Sequence, residues 1–81
     1  MSVSQETLPS LLALITPRVL QQLIDERGLS AQEAAAALYG SRLYRALERE
    51  DTKLWHLSAV ALTGLLEEEL ETGHITWPEE Q

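Results

Sequence analysis

The chain has 81 residues, 44% of them apolar, with 13 acidic and 6 basic side chains and a formal net charge of −7. A length of this order supports one hydrophobic core and not two, and the absence of Cys excludes a disulfide scaffold or a zinc ribbon. Residues 54–81 carry six Glu and neither Lys nor Arg, whereas residues 1–53 are nearly balanced at −1; this disfavours a bulk-electrostatic nucleic-acid binder and attraction to an anionic membrane.

Composition points to helix. There are 16 Leu and 9 Ala, few β-branched residues and no Phe, a mixture that favours helix over strand. The polar lead-in, residues 1–7, reads as a flexible N-terminus. From Leu8 the apolar positions 8, 11, 12, 15, 19, 20, 23 and 24 recur at helical spacing. Pro17 interrupts this stripe chemically but not in phase. A single helix over 8–27 with a kink at Pro17 is therefore preferred to a break with Thr16 capping a second helix. Arg27-Gly28 supplies a cation and a C′ glycine to end it.

Ser30-Ala31-Gln32-Glu33 is a capping box, so a second helix covers 31–39 and stops at Gly40. Ser41 then caps a third helix over 42–50. Asp51-Thr52-Lys53 reads as a turn, and Leu54, Trp55 and Leu57 as an apolar connector. Ser58 caps a fourth helix over 59–72, with Leu57 and Leu62 placed as a hydrophobic staple and Gly73 ending it. The expectation is an all-α single domain over 8–78, four helices joined by short turns, with a flexible C-terminus at 79–81. The core expected from these stripes is Leu12, Ile15, Leu20, Leu23, Leu38, Leu43, Leu47, Leu54, Trp55, Leu62, Leu65, Leu66 and Leu70. No secretory leader is visible and the longest apolar run, Leu11–Ile15, is far short of a membrane span, so the expected location is cytoplasmic.

Three features carry candidate function. Residues 23–48 approximate a helix-turn-helix, with Arg42, Arg45 and Arg49 at spacings that put them on one face of the second helix. The turn is one residue short, however, and Glu48, Glu50 and Asp51 crowd the helix end. A solvated or internally paired Arg face is the plainer reading. The run Glu67, Glu68, Glu69 and Glu71 sits at the negative end of a helix macrodipole. Glu67, Glu68 and Glu71 share the face opposite the Leu stripe, while Glu69 falls inside the arc of Leu62 and Leu65. Such a face suits either a basic partner or plain solubility. Trp55 reads as a core plug or a partner anchor, and Trp77 as a cover for its own core or a self-association site.

Catalysis has little support. Glu71-x-x-His74 has half of a di-metal spacing, but it straddles Gly73 and has no second half. His56 with Asp51 and Ser58 is a triad only on paper. No catalytic residue, metal site or cofactor is expected.

The run Thr52-Lys53-Leu54-Trp55-His56-x-Ser58, preceded by Ser41-x-x-Tyr44-x-x-Leu47 and followed by Glu68-x-x-Glu71-Thr72-Gly73, resembles a group of short uncharacterised bacterial all-helical proteins. The likeness covers about residues 20–78, and its specific part is Thr-Lys-Leu-Trp-His. Ala59 stands where that group often has Pro. The resemblance implies a compact helical protein of antitoxin-like or regulatory character, with no catalytic residue to carry over. The function expected is a non-catalytic protein–protein interaction or regulatory module acting on an unknown protein partner or as a homodimer. Its candidate partner-binding residues are Arg42, Arg45, Arg49, Trp55, Glu67, Glu68, Glu71 and Trp77. The alternative is a degenerate helix-turn-helix DNA binder using the Arg42, Arg45 and Arg49 face.

Overall fold

Leu8, Leu12, Val19 and Leu23 all point one way along the first helix, and their burial keeps it in one piece. A computed structural model describes residues 4–78. In it α1 spans Leu8–Arg27 and runs through Pro17. An interior proline costs about 3 kcal/mol. Burying each large apolar side chain gives about 1.5–3 kcal/mol, and a break at Thr16 would take Leu8 and Leu12 out of phase with Val19 and Leu23. The stripe outweighs the proline. Thr16 is accordingly buried within the helix instead of capping a new one.

The capping signals act where their chemistry requires. The Ser30 hydroxyl accepts from the Glu33 N–H while the Glu33 carboxylate accepts from the Ser30 N–H, which fixes the start of α2 (Ala31–Tyr39). Ser41 opens α3 (Arg42–Leu47), and Ser58 opens α4 (Ala59–Thr72), each hydroxyl accepting from the N–H three residues on. Between α3 and α4 lie two short 3₁₀ turns, Glu50–Thr52 and Leu54–His56, separated by Lys53 in the left-handed region at φ 58°. The architecture is all-α, as the patterning predicts, and no described residue is in a strand.

One boundary differs from the sequence reading, and it traces in part to contacts distant in sequence. α3 ends at Leu47 instead of Glu50. The Thr52 hydroxyl donates to the Ala46 and Arg49 carbonyls, and Gln5 donates to the Glu48 carbonyl at 2.6 Å while accepting from the Glu50 N–H at 2.9 Å. These partners satisfy groups that another helical turn would have used. Residues 4–7, which composition marks as a loose lead-in, form a turn in which Ser4 and Thr7 hydrogen-bond to each other. The expected flexible ends at residues 1–3 and 79–81 lie outside the described residues.

The core joins Leu8, Leu12, Val19 and Leu23 of α1 to Leu38 of α2, Leu43 and Leu47 of α3, Leu54, and Leu62 and Leu66 of α4. Leu8, Val19 and Ala34 belong to it although the expected set omitted them. Ile15, Leu20, Trp55 and Leu65 pack against it only partly buried. Leu70, expected inside, is 42% exposed. The last turn of α4 turns Glu69 toward the start of α3, and Leu70, one residue on, is left at the open flank. Thr63 is buried because its hydroxyl bonds back to the Ala59 carbonyl at 2.7 Å.

Candidate functional site

A helix start leaves backbone N–H groups without partners, and at α3 every one of the first three is met by a side-chain oxygen. Glu69, reaching across from α4, accepts from the Arg42 N–H at 2.9 Å and the Leu43 N–H at 3.2 Å. The Ser41 hydroxyl accepts from the Tyr44 N–H at 3.0 Å and donates to the Leu38 carbonyl. Arg42 returns the contact. Its guanidinium lies 3.8 Å from the Glu69 carboxylate and donates to the Gly73 carbonyl at the end of α4. The two helices therefore cap each other, carboxylate to N-terminus and cation to C-terminus, the favourable sense for both dipoles.

That joint changes the meaning of the three arginines. Arg42 is bound to α4, Arg49 lies beyond the end of α3 and pairs with Asp51 at 2.8 Å, and Arg45 is exposed with no ion pair among the described residues. The expected common helical face is not formed, because α3 stops one turn short. The residues near the α3 N-terminus that would approach a phosphate meet Glu69 instead.

The acidic residues of α4 are likewise divided. Glu71 pairs with Arg27 at the end of α1 at 3.0 Å. The Glu68 carboxylate accepts from the Thr76 N–H at 2.8 Å and the Thr76 hydroxyl at 2.6 Å, holding the tail that follows Gly73; these hydrogen bonds keep its carboxyl below the usual value. Glu67 is the exception. Burial first, then a hydrogen bond to Glu26 and its charge, push the Glu67 carboxyl up, with Arg27 opposing. Trp55 is half-buried against the core and donates its ring N–H to the Glu50 carbonyl at 3.0 Å. Trp77 is 45% exposed and, with Pro78, edges a depression over Ala46, Thr52 and Leu54.

A second concavity lies elsewhere, away from the candidate partner-binding residues named above. A groove of about 470 Å³ runs between α1 and the α2–α3 pair. Its α1 wall is Pro9, Ala13 and Pro17, one residue per helical turn. Leu8, Leu12, Thr16 and Leu20 form the floor, and Tyr39 and Tyr44 the opposite wall. The two rings meet edge to face with centroids 4.9 Å apart. Gln5 and Glu48 complete the lining. Pro17 has no N–H to give the Ala13 carbonyl, so an acceptor in the groove wall lacks its usual helical donor. The Tyr44 phenol is pushed above its ordinary value by burial, with Glu48 and Tyr39 adding to this and a hydrogen bond with Thr16 opposing it. The chemistry is that of a binding groove: mostly apolar and aromatic, with a few polar groups among the lining residues.

Among the described residues no set of three His, Asp or Glu is placed to hold a metal ion, and no helix is long and apolar enough to cross a membrane. No protein-family model, curated protein or solved structure matches the chain. The groove's one sequence signal is the Pro9, Ala13, Pro17 spacing on the outer side of an otherwise regular stripe, and it acquires a second wall only when Tyr39 and Tyr44 fold against it.

Proposed function

We propose that the chain is a non-catalytic protein–protein interaction module, regulatory and antitoxin-like in character, which holds a partner in the groove between α1 and the α2–α3 pair. The observation that carries this reading is the groove itself: about 470 Å³ of mostly apolar, aromatic-walled space, an apolar surface concavity of the kind that takes a partner segment. The charged residues expected to form the interface are largely engaged inside the molecule, at Arg42–Glu69, Arg27–Glu71 and Arg49–Asp51. That engagement also weighs against the helix-turn-helix alternative, which needs free Arg side chains and an open start to α3. The resemblance to short bacterial helical proteins supports a bacterial setting for the same role, with the cytoplasm the location expected from the sequence. A second copy of the chain is the other partner that would fit. Leu14, Val60, Leu70 and Trp77 are exposed apolar residues available to such a contact.

The test is affinity capture with the full chain beside an Ala13→Arg variant. Ala13 is exposed on α1, and Arg is a good helix former, so the variant fills the groove without disturbing the core. One protein held in stoichiometric amount by the natural chain and lost by the variant is the expected result. Equal capture by both chains, or a shifted DNA duplex at low salt that Arg45→Ala abolishes, contradicts the reading.

A further inference from the structure

We infer that the groove takes an apolar segment of a partner protein through one Arg or Lys side chain, whose cation lies against Tyr39 and Tyr44 and faces Glu48. This rests on the docking role proposed above and specifies the chemistry of the occupant.

Three observations converge on a cation. Glu48 is the only charged side chain among the described lining residues, and no ion pair among the described residues involves it. Tyr39 and Tyr44 line the same groove, their rings in edge-to-face contact, and Tyr39 is half exposed. An aromatic face next to a carboxylate attracts a guanidinium or ammonium, both through the ring quadrupole and through charge. Pro17 has no N–H to give the Ala13 carbonyl, so the facing α1 wall brings a neutral acceptor and no charge of its own. An anionic segment would bring a second carboxylate against Glu48 with no lining cation to offset it.

The remaining walls set the flanks. Pro9, Ala13 and Pro17 offer hydrocarbon without a charge. From Pro9 to Pro17 the helix rises about 12 Å, the length of about four extended residues. The fitting occupant is thus a short apolar stretch with a single central Arg or Lys. The chain's own tail does not meet this description, since Trp77-Pro78 is followed by Glu79-Glu80.

The test is calorimetric titration of the full chain with capped heptapeptides Ser-Pro-Leu-X-Leu-Pro-Ser, where X is Arg, Lys, Gln or Glu. The Arg and Lys peptides are expected to bind at least about tenfold tighter than the Glu peptide, the combined scale of a cation–π contact and one screened charge pair. Glu48→Gln should shrink that difference about threefold or more at an unchanged unfolding midpoint, and Ala13→Arg should abolish binding. Equal affinity for the Arg and Gln peptides overturns the cation while leaving the docking role intact. Binding of butylguanidinium as tight as that of the Arg peptide assigns the groove to a small amine and overturns the partner segment. Failure of every peptide at millimolar concentration overturns the inference outright. The docking role fails separately, when Ala13→Arg loses no captured protein.

Discussion

The α3–α4 joint and the α1 groove sit on either side of the same short helix and use their polar groups in opposite ways. At the joint, Glu69, Arg42, Ser41 and Gly73 meet one another, so the charges complete two helix ends. In the groove, Tyr39 and Glu48 remain at the surface beside an apolar wall. Charge density in a sequence is therefore a poor guide to where a small helical protein meets its partner. Helix ends carry unpaired N–H and C=O groups, and in a domain with short connections the nearest charged side chains are drawn to them.

Removing the Glu69 carboxylate should give the largest effect. Glu69→Ala leaves the Arg42 and Leu43 N–H groups unpartnered in a partly covered position, at a cost of about 1–3 kcal/mol, read as a lower midpoint in urea. Glu69→Gln keeps one acceptor and should lose less. Arg42→Ala should cost under about 1 kcal/mol, because its side chain is largely exposed. If Arg42→Ala proves more damaging than Glu69→Ala, the joint is held by the ion pair and not by the capping.

On the groove side stability should barely respond. Ala13→Arg and Glu48→Gln are each expected to stay within about 0.5 kcal/mol of the natural chain, and thermal unfolding checks this. A large loss in either would make the groove part of the fold.

Glu67 and Glu68, adjacent on α4, should respond to pH in opposite senses. The folded Glu68 carboxyl is depressed by its bonds to Thr76. Its contribution is present above the unfolded carboxylate value and is lost as pH falls through the folded one. The Thr76 amide resonance should report release of the tail there. Glu67 is raised, so its contribution is full below the unfolded value and is lost as pH rises through the folded value. Glu67→Gln should consequently raise the unfolding free energy at neutral pH by less than about 1 kcal/mol. A lowered stability would show that attraction to Arg27 outweighs the burial and the Glu26 charge.

What could be read from the chain was local. Ser30 with Glu33, Ser41, Ser58, Gly28 and Gly73 are signals complete within a few residues, and the helices they bound begin or end where those signals stand. The end of α3 depends on Gln5, 43 residues before Glu48, and on Thr52, neither of which any periodicity brings to it. Glu69 could be recognised as out of place on its own helical wheel, but its reason lies on another helix. Trp55 is half-buried against the core. The groove was the least legible feature, because its walls come from residues 9–20 and 39–48 and neither segment alone departs from an ordinary amphipathic pattern.

The most direct measurement is the amide spectrum of the isotope-labelled chain during titration with the Arg-centred peptide. Resonances of Ala13, Tyr39, Tyr44 and Glu48 should shift in saturable fashion while those of Arg42, Glu69 and Gly73 stay in place. Shifts confined to Arg42, Glu69 and Gly73, with the groove unmoved, would return the interface to the charged joint and contradict the assignment of the two regions.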